Sequence, residues 1–355
     1  MDEFRRPMPL ALAGIAAIGW LSAVYIWLQA SRTESQITES LQAAEQARES
    51  LAADLQNLQK AAGVAADVKK HVSVPVIAVG RLCDPALAES AVASGKTDFI
   101  ALGRTLIADP QWVDKVARGE PIRRCLACNT CINEMRGGAR IGCVVNGAAG
   151  RETLFADAKP PRGERIVVIG AGPAGLTYAS LVADGNKVTV FERTERAGGS
   201  FRYAGKAPLF QEVEASDASF ARYIDDMTAA CKKKGVVFRF TTDVTADPTL
   251  LTSFNRIVIA TGAPYRFGLG PFATWALDSG AARWPGIAQL LSNAKLRDWF
   301  YYRARRATTG RFKRLTRPGQ TTIVIGDAIK AGKSKQAIAS AFEAALLPKE
   351  GEGRR

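Results

Sequence analysis

Four cysteines that lie within 19 residues are the sharpest chemical signal in the sequence. Cys125, Cys128 and Cys131 are separated by two residues each, and Cys143 follows after eleven more. Four thiolates at such spacing can ligate a cubane iron–sulfur cluster or a tetrahedral zinc ion, and the spacing alone leaves both open. A chain of 355 residues does not need disulfides to fold, so the clustered cysteines predict metal ligation in a reducing compartment.

A glycine-rich turn joins the apolar residues 165–169 to a predicted helix. The turn carries Gly170, Gly172 and Gly175, and the next apolar strand ends at Glu192, 22 residues after the first glycine. The first glycine permits the turn, the second lets a pyrophosphate approach, and the third allows close helix–strand packing. Glu192 is expected to accept hydrogen bonds from adenosine ribose hydroxyls. This arrangement predicts a Rossmann-like dinucleotide-binding domain.

Later motifs favour FAD over NAD, because they resemble those of two-dinucleotide flavoproteins. An Ala-Thr-Gly strand end, a Gly-Asp pair after a C-terminal strand and a Gly-Gly pair after the acidic residue all fit that class. The resemblance implies that the aspartate meets the ribityl or phosphate region of FAD. No second strand–GxGxxG–helix unit follows, so we expect no nicotinamide domain. The additional FAD residues predicted in this way are Gly199, Thr261, Gly262, Gly326 and Asp327.

Upstream of the cysteines, the pattern of residues 71–120 predicts two consecutive strand–helix units. Each predicted strand ends in a Gly-Arg pair, Gly80-Arg81 and Gly103-Arg104. The carboxyl ends of parallel strands are where α/β folds bind ligands. Exposed glycine amides followed by arginine suit a phosphate.

Residues 74–131 resemble the end of an Old Yellow Enzyme-type barrel in the NADH:flavin oxidoreductase family. The similar subfamily, that of trimethylamine dehydrogenase and 2,4-dienoyl-CoA reductase, also carries an iron–sulfur cluster and a nucleotide domain. The resemblance implies a 4Fe-4S cluster on the four cysteines. It also implies that Gly80, Arg81, Gly103 and Arg104 hold the phosphate of FMN. Six further strand–helix units should precede these and are not recognised in the sequence, so we expect the chain to lack a complete FMN substrate site.

The N-terminal seventy residues carry no recognisable chemistry. Pro7 to Ser31 is 25 residues without a charge, long enough to cross a bilayer, with a signal peptide or a buried core helix as the alternatives. An Ala-, Glu- and Leu-rich stretch follows and resembles a dimerising coiled coil, or equally a solvated single helix. We therefore expect a single-pass membrane protein whose cofactor domains are cytoplasmic and which can form a coiled-coil homo-oligomer.

The predicted fold class is α/β: a Rossmann-like FAD domain preceded by a partial TIM-barrel fragment and a loop of four cysteines, with a transmembrane helix and stalk in front. The predicted segments are an anchor (1–32), a stalk (33–70), the barrel end (71–120), the iron–sulfur loop (121–158), the FAD domain (159–265 and 318–348) and a basic aromatic insert (266–317).

The charge and the single histidine, His71, restrict the functions that the chain can have. A net charge of +14 indicates anionic partners, and the basic insert fits a membrane surface, single-stranded nucleic acid or a solvated helix face. A single histidine argues against a His-based triad and against a multi-His metal site, and no side chain stands out as a general acid or base. The sequence predicts a flavin- and iron–sulfur-dependent electron-transfer oxidoreductase with a redox partner protein. The alternatives are a non-catalytic membrane-anchored coiled-coil protein carrying a remnant flavoprotein module and, ranked last, a nucleic-acid-binding protein.

Overall fold

A computed structural model describes most of the chain after residue 62. The described residues are 63–80, 82–204, 206, 217–265, 269–293, 295–296, 299–307, 310, 312 and 314–347, with the isolated positions 41, 45, 48 and 52. The chain divides into two compact units, Met1–Ala52 and Ala53–Arg355. The predicted anchor and most of the predicted stalk lie outside the described residues, whereas the second unit is described over most of its length.

The predicted single-pass membrane localisation is wrong on the structural finding. Among the helices in the described part of the chain, none is long and apolar enough to cross a bilayer. The prediction came from hydropathy, which cannot separate a membrane span from an apolar segment that is buried in protein.

After the helical residues 63–69 comes a two-stranded parallel sheet. Its strands are β1 (Ile77–Val79) and β2 (Phe99–Ala101), and Ile77 pairs with Phe99. Helix α1 (Pro85–Ala93) connects them, and the Asp84 side chain caps its N-terminus. Two short helices follow, α2 (Gly103–Ala108) and α3 (Trp112–Ala117).

Strand β1 is buried at its central residue and exposed at the other two. Ala78 is buried, whereas Ile77 and Val79 are 61% and 71% exposed. A parallel sheet is normally covered on both faces by helices. In the described residues this sheet has two strands, so one face of β1 has no covering layer.

The second sheet has five parallel strands in the order β5-β4-β3-β6-β7. The strands are β3 (Arg165–Ile169), β4 (Lys187–Phe191), β5 (Val237–Arg239), β6 (Arg256–Ile259) and β7 (Thr321–Val324). β3 and β6 are almost fully buried and rich in Ile and Val, as expected for central parallel strands. The strand order reverses at β3 and β6, which makes their carboxyl ends the switch point where such sheets bind ligands.

Helices on the sheet complete a Rossmann-like fold. Helix α6 (Pro173–Val182) starts directly after β3, with Pro173 at the first helical position. It packs against the amphipathic helix α7 (Asp217–Lys233) and the C-terminal helix α10 (Ser334–Leu346). Before this fold come α4 (Thr130–Arg136) and α5 (Glu152–Phe155), and helices α8 (Leu269–Asp278) and α9 (Pro285–Ser292) lie between β6 and β7. The sequence and the structure therefore agree on an α/β class with parallel sheets and a Rossmann-like domain.

Candidate functional site

The glycine turn after β3 is packed so tightly that two of its positions admit only glycine. A Cβ on Gly170, whose φ is +107°, would lie 2.5 Å from the carbonyl oxygen of Ala260 at the end of β6. A Cβ on Gly175 would lie 2.0 Å from the carbonyl oxygen of Gly170. At Gly172, by contrast, a Cβ would meet no atom within 4 Å. The turn is thus closed on its protein side and open at the N-terminus of α6, which is where a pyrophosphate would approach.

Glu192 lies where the motif predicted it, at the end of β4 and beside the glycine turn. It is buried, and one of its carboxylate oxygens accepts a hydrogen bond of 2.8 Å from the Ala171 amide. The other oxygen accepts hydrogen bonds of 2.9 Å from the amide and hydroxyl of Thr194. The carboxylate is therefore fixed in orientation, and its remaining lone pairs can accept hydrogen bonds from a ribose.

Two further glycines close on the same helix N-terminus. A Cβ on Gly199, whose φ is +52°, would lie 3.5 Å from the Cα of Gly172. A Cβ on Gly326 would lie 2.9 Å from the Cβ of Ala174, in the first turn of α6. Thr261 and Gly262 follow Ala260, the first residue after β6, at the switch point. The structure therefore gathers every predicted dinucleotide glycine except Gly262 around one helix end.

Asp327 has a partner that sequence reasoning missed. Its carboxylate accepts a hydrogen bond of 2.7 Å from Arg305, and both side chains are largely buried. Arg305 also donates to the carbonyl oxygens of Ala263 and Gly332. Burial raises the pKa of Asp327, and the charge of Arg305 opposes that rise. Arg305, which belongs to the predicted basic insert, thus lies at the carboxyl ends of β6 and β7.

Three of the four clustered cysteines lie at the edge of the core that also contains α6. Cys131 is buried, while Cys125, Cys128 and Cys143 are half-buried and pack against this core. Burial raises the pKa of the Cys125 thiol to about 12, and Cys143 and Cys128 add to the rise. Burial likewise raises the pKa of Cys143, with further contributions from Cys128 and Cys131. The four thiols are therefore close enough to raise one another's pKa. In the described residues, however, no three His, Cys, Asp or Glu side chains are arranged to hold a single metal ion.

The cysteine loop has an unusual backbone. Ala127 and Asn129 have φ angles of +53° and +56°, in the left-handed region that non-glycine residues rarely occupy. With this left-handed backbone, the main-chain amide of Ala127 lies 3.4 Å from the Cys125 sulfur. The amides of Val145 and Asn146 hydrogen-bond to Cys143 and lower its pKa against the effect of burial. Amide donors of this kind stabilise bound thiolates and tune iron–sulfur clusters.

Helix α2 holds both cysteine-bearing segments. At its start, Arg104 donates a hydrogen bond of 2.5 Å to the side-chain oxygen of Asn129, between Cys128 and Cys131. At its end, the carbonyl oxygen of Ile107 accepts a hydrogen bond of 2.9 Å from the Asn146 side chain, three residues after Cys143.

The residue that follows α2 holds the chain just ahead of the first cysteine. Asp109 is 2% exposed and accepts a hydrogen bond of 2.8 Å from the amide of Arg123. Lys115 balances the charge of this aspartate with two hydrogen bonds, of 2.9 and 2.8 Å. The last strand–helix unit of the barrel-like segment is therefore the framework of the cysteine loop.

The predicted FMN phosphate residues are only partly brought together. Gly80, with a φ of +139°, follows β1, and Gly103 begins α2 just after β2, so both stand at the carboxyl ends of paired strands. Arg104 is engaged with the cysteine loop. Arg81 lies outside the described residues.

Two sequence segments match known families. Residues 18–122 match the profile of the NADH:flavin oxidoreductase / NADH oxidase family, and residues 168–208 match the NAD(P)-binding Rossmann-like domain. Each match shows a similarity to its family over the residues that it covers. The first match starts inside the predicted anchor and spans the predicted stalk, so neither of those interpretations is supported.

Individual relatives are also oxidoreductases. The chain is 35% identical to a metal reductase of Desulforamulus reducens over 231 residues, which is 61% of this chain and 34% of that protein. It is 34% identical to an NADH oxidase of Thermoanaerobacter brockii over 206 residues, 56% of this chain and 31% of the relative. The chain thus spans about a third of the length of these curated relatives.

A solved structure shares the fold. A 2-naphthoyl-CoA reductase complex superposes with a TM-score of 0.64 at 22% identity, covering 81% of this chain and 56% of that one. At this identity the likeness concerns the fold alone.

Proposed function

We propose that this chain is an electron-transfer oxidoreductase that binds FAD in its Rossmann-like domain and a 4Fe-4S cluster on Cys125, Cys128, Cys131 and Cys143. The observation that carries the proposal is the common core: the cysteine segments and the glycine-turn helix α6 pack in one hydrophobic cluster. Two redox groups held by one rigid core keep a fixed separation. A fixed separation suits electron transfer between them.

The cysteine segments fit an iron–sulfur cluster by their donor chemistry. They provide four thiols in a half-buried setting, where the charged thiolate form is disfavoured unless a bound metal compensates. Their loop supplies main-chain amides to the sulfur atoms. A tetrahedral zinc ion at about 2.3 Å from each sulfur needs closely gathered thiolates, whereas a four-iron cluster is bulkier and holds them farther apart.

The Rossmann-like domain fits a dinucleotide with an adenosine end. Gly172 leaves room for a pyrophosphate at the N-terminus of α6, and Glu192 is oriented for the ribose. The added proximity of Gly199 and Gly326 favours FAD, because the resemblance to two-dinucleotide flavoproteins rests on those motifs. When bound, the flavin supplies hydride and single-electron chemistry, and the cluster supplies single-electron transfer. We propose that a separate redox protein exchanges electrons with this chain.

The test is cofactor analysis of the full chain. After anaerobic reconstitution with iron, sulfide and FAD, we expect a yellow-brown protein with about four irons per chain and bound flavin. Cys143→Ser should lose most of the iron. Cys83→Ser, which replaces a half-buried cysteine outside the loop, should retain it.

Two outcomes would contradict the proposal. A wild-type chain that binds zinc and no iron would refute the assignment of a 4Fe-4S cluster. A wild-type chain that binds NAD(P)H but no flavin would refute the assignment of FAD. The oxidoreductase relatives disfavour the alternative of a non-catalytic coiled-coil protein, and we do not propose it.

A further inference from the structure

Arg104 was expected to face a flavin phosphate, yet its hydrogen bond goes to the cysteine loop. Its Nη1 atom donates to the side-chain oxygen of Asn129 at 2.5 Å, and both residues are half-buried. Asn129 stands between two of the proposed cluster ligands, Cys128 and Cys131. This hydrogen bond therefore fixes the guanidinium group beside the loop that carries both cysteines.

Asn129 is in an unusual state for a residue at the start of a helix. It is the N-cap of α4, a position where asparagine normally accepts a hydrogen bond from the helix amides. Here its side chain makes no capping bond, and its φ of +56° is left-handed. The carboxamide is instead used to hold Arg104. A helix cap is therefore given up for a bond that places a positive charge beside the cysteines.

We propose that Arg104 is a positioning residue of the cysteine site, and that its guanidinium, held by Asn129, favours the reduced state of the cluster. The inference rests on the cluster of the proposed function. Reduction by one electron adds a negative charge to the cluster. A fixed cation nearby stabilises that charge, more strongly in a partly buried site than in water.

The experiment compares reduction potentials of reconstituted full-length variants, measured by EPR-monitored redox titration. Arg104→Met removes the charge, Arg104→Lys keeps it, and Asn129→Gly keeps Arg104 but removes its acceptor while accommodating the left-handed backbone. Arg118→Met is the matched control, because Arg118 pairs with Glu120 on the surface.

We expect Arg104→Met to lower the ratio of reduced to oxidised cluster at a fixed potential by roughly fivefold to tenfold. A tenfold change corresponds to about 59 mV for one electron. Asn129→Gly should shift the potential in the same direction by less, Arg104→Lys should restore most of it, and Arg118→Met should match the wild type.

Each result has a distinct meaning. An Arg104→Met cluster with the wild-type potential overturns the inference, and so does a loss of flavin phosphate binding at an unchanged cluster potential. If Arg104→Met cannot retain a cluster, wild-type potentials in both Asn129→Gly and Arg104→Lys overturn it equally. A wild-type chain without any cluster refutes the proposed function instead.

Discussion

Replacing Gly175 by alanine separates the packing role of the glycine turn from its binding role. The new Cβ would lie 2.0 Å from the Gly170 carbonyl oxygen and 3.3 Å from the Ala260 Cβ. The first contact is with backbone, so α6 must move away from the turn. Overpacking of this kind costs about 1–3 kcal/mol, and a contact this short belongs at the upper end. Alanine recovers up to about 1 kcal/mol of helix propensity.

The net expectation for Gly175→Ala is a loss of about 2 kcal/mol in the free energy of unfolding. For the folded unit Ala53–Arg355, this corresponds to a fall in Tm of about 3 °C. Gly172→Ala is the matched control: it has ordinary backbone angles, φ −76° and ψ 179°, and open space around the new Cβ. Its stability should change by less than about 1 kcal/mol.

The two variants should rank in the opposite order for FAD affinity, with Gly172→Ala the more affected. Gly172→Ala places a methyl group in the space left for the pyrophosphate, so its affinity for FAD should fall by roughly tenfold or more, about 1.4 kcal/mol. Thermal unfolding by circular dichroism and FAD titration by fluorescence quenching measure the two effects. The reasoning is refuted if Gly175→Ala is as stable as the wild type, or if Gly172→Ala binds FAD unchanged.

Three further predictions concern stability. Ala127→Gly should stabilise the metal-free chain to urea by about 1 kcal/mol, because it relieves a left-handed alanine, whereas Ala86→Gly in α1 should destabilise it. Tyr223→Phe should resist alkali better than the wild type. Burial raises the pKa of Tyr223 to about 12 in the folded protein, whereas the same tyrosine in the unfolded chain ionises near pH 10. The wild type should therefore lose about 2–3 kcal/mol in the free energy of unfolding between about pH 10 and 12, and the variant should not. Arg256→Met should lower the free energy of unfolding by about 2 kcal/mol, because it leaves the Glu164 carboxylate without this ion pair. The double variant that adds Glu164→Gln should recover part of that loss. If the single and the double variant are equally stable, this explanation is wrong.

The Rossmann-like part could be predicted from the sequence because its requirements are local. The strand 165–169 and the strand that ends before Glu192 were predicted with their observed bounds. The glycine at 175 is dictated by a close contact within the motif, with the Gly170 carbonyl oxygen, and the glycine at 170 by its φ of +107°. A pattern that encodes its own backbone geometry can be recognised without tertiary information.

The contacts of Arg104 and Arg305 could not be predicted in the same way. Arg104 meets Asn129 across 25 residues, and Arg305 meets Asp327 across 22. Neither pair follows a helical or strand periodicity, so each depends on how separate segments dock. A signal for the first was present in the asparagine between two cysteines, since asparagine tolerates the left-handed region better than most residues. For the second, the sequence carried no such signal.

The attachments of helix α2 have a consequence for how this chain should be divided in the laboratory. The pattern of strands and glycines suggests a cut near residue 120, between a barrel remnant and a cysteine module. Such a cut would sever the bonds that Arg104, Ile107 and Asp109 make to the second piece. The smallest fragment with correctly shaped cysteine loops therefore starts before Gly103.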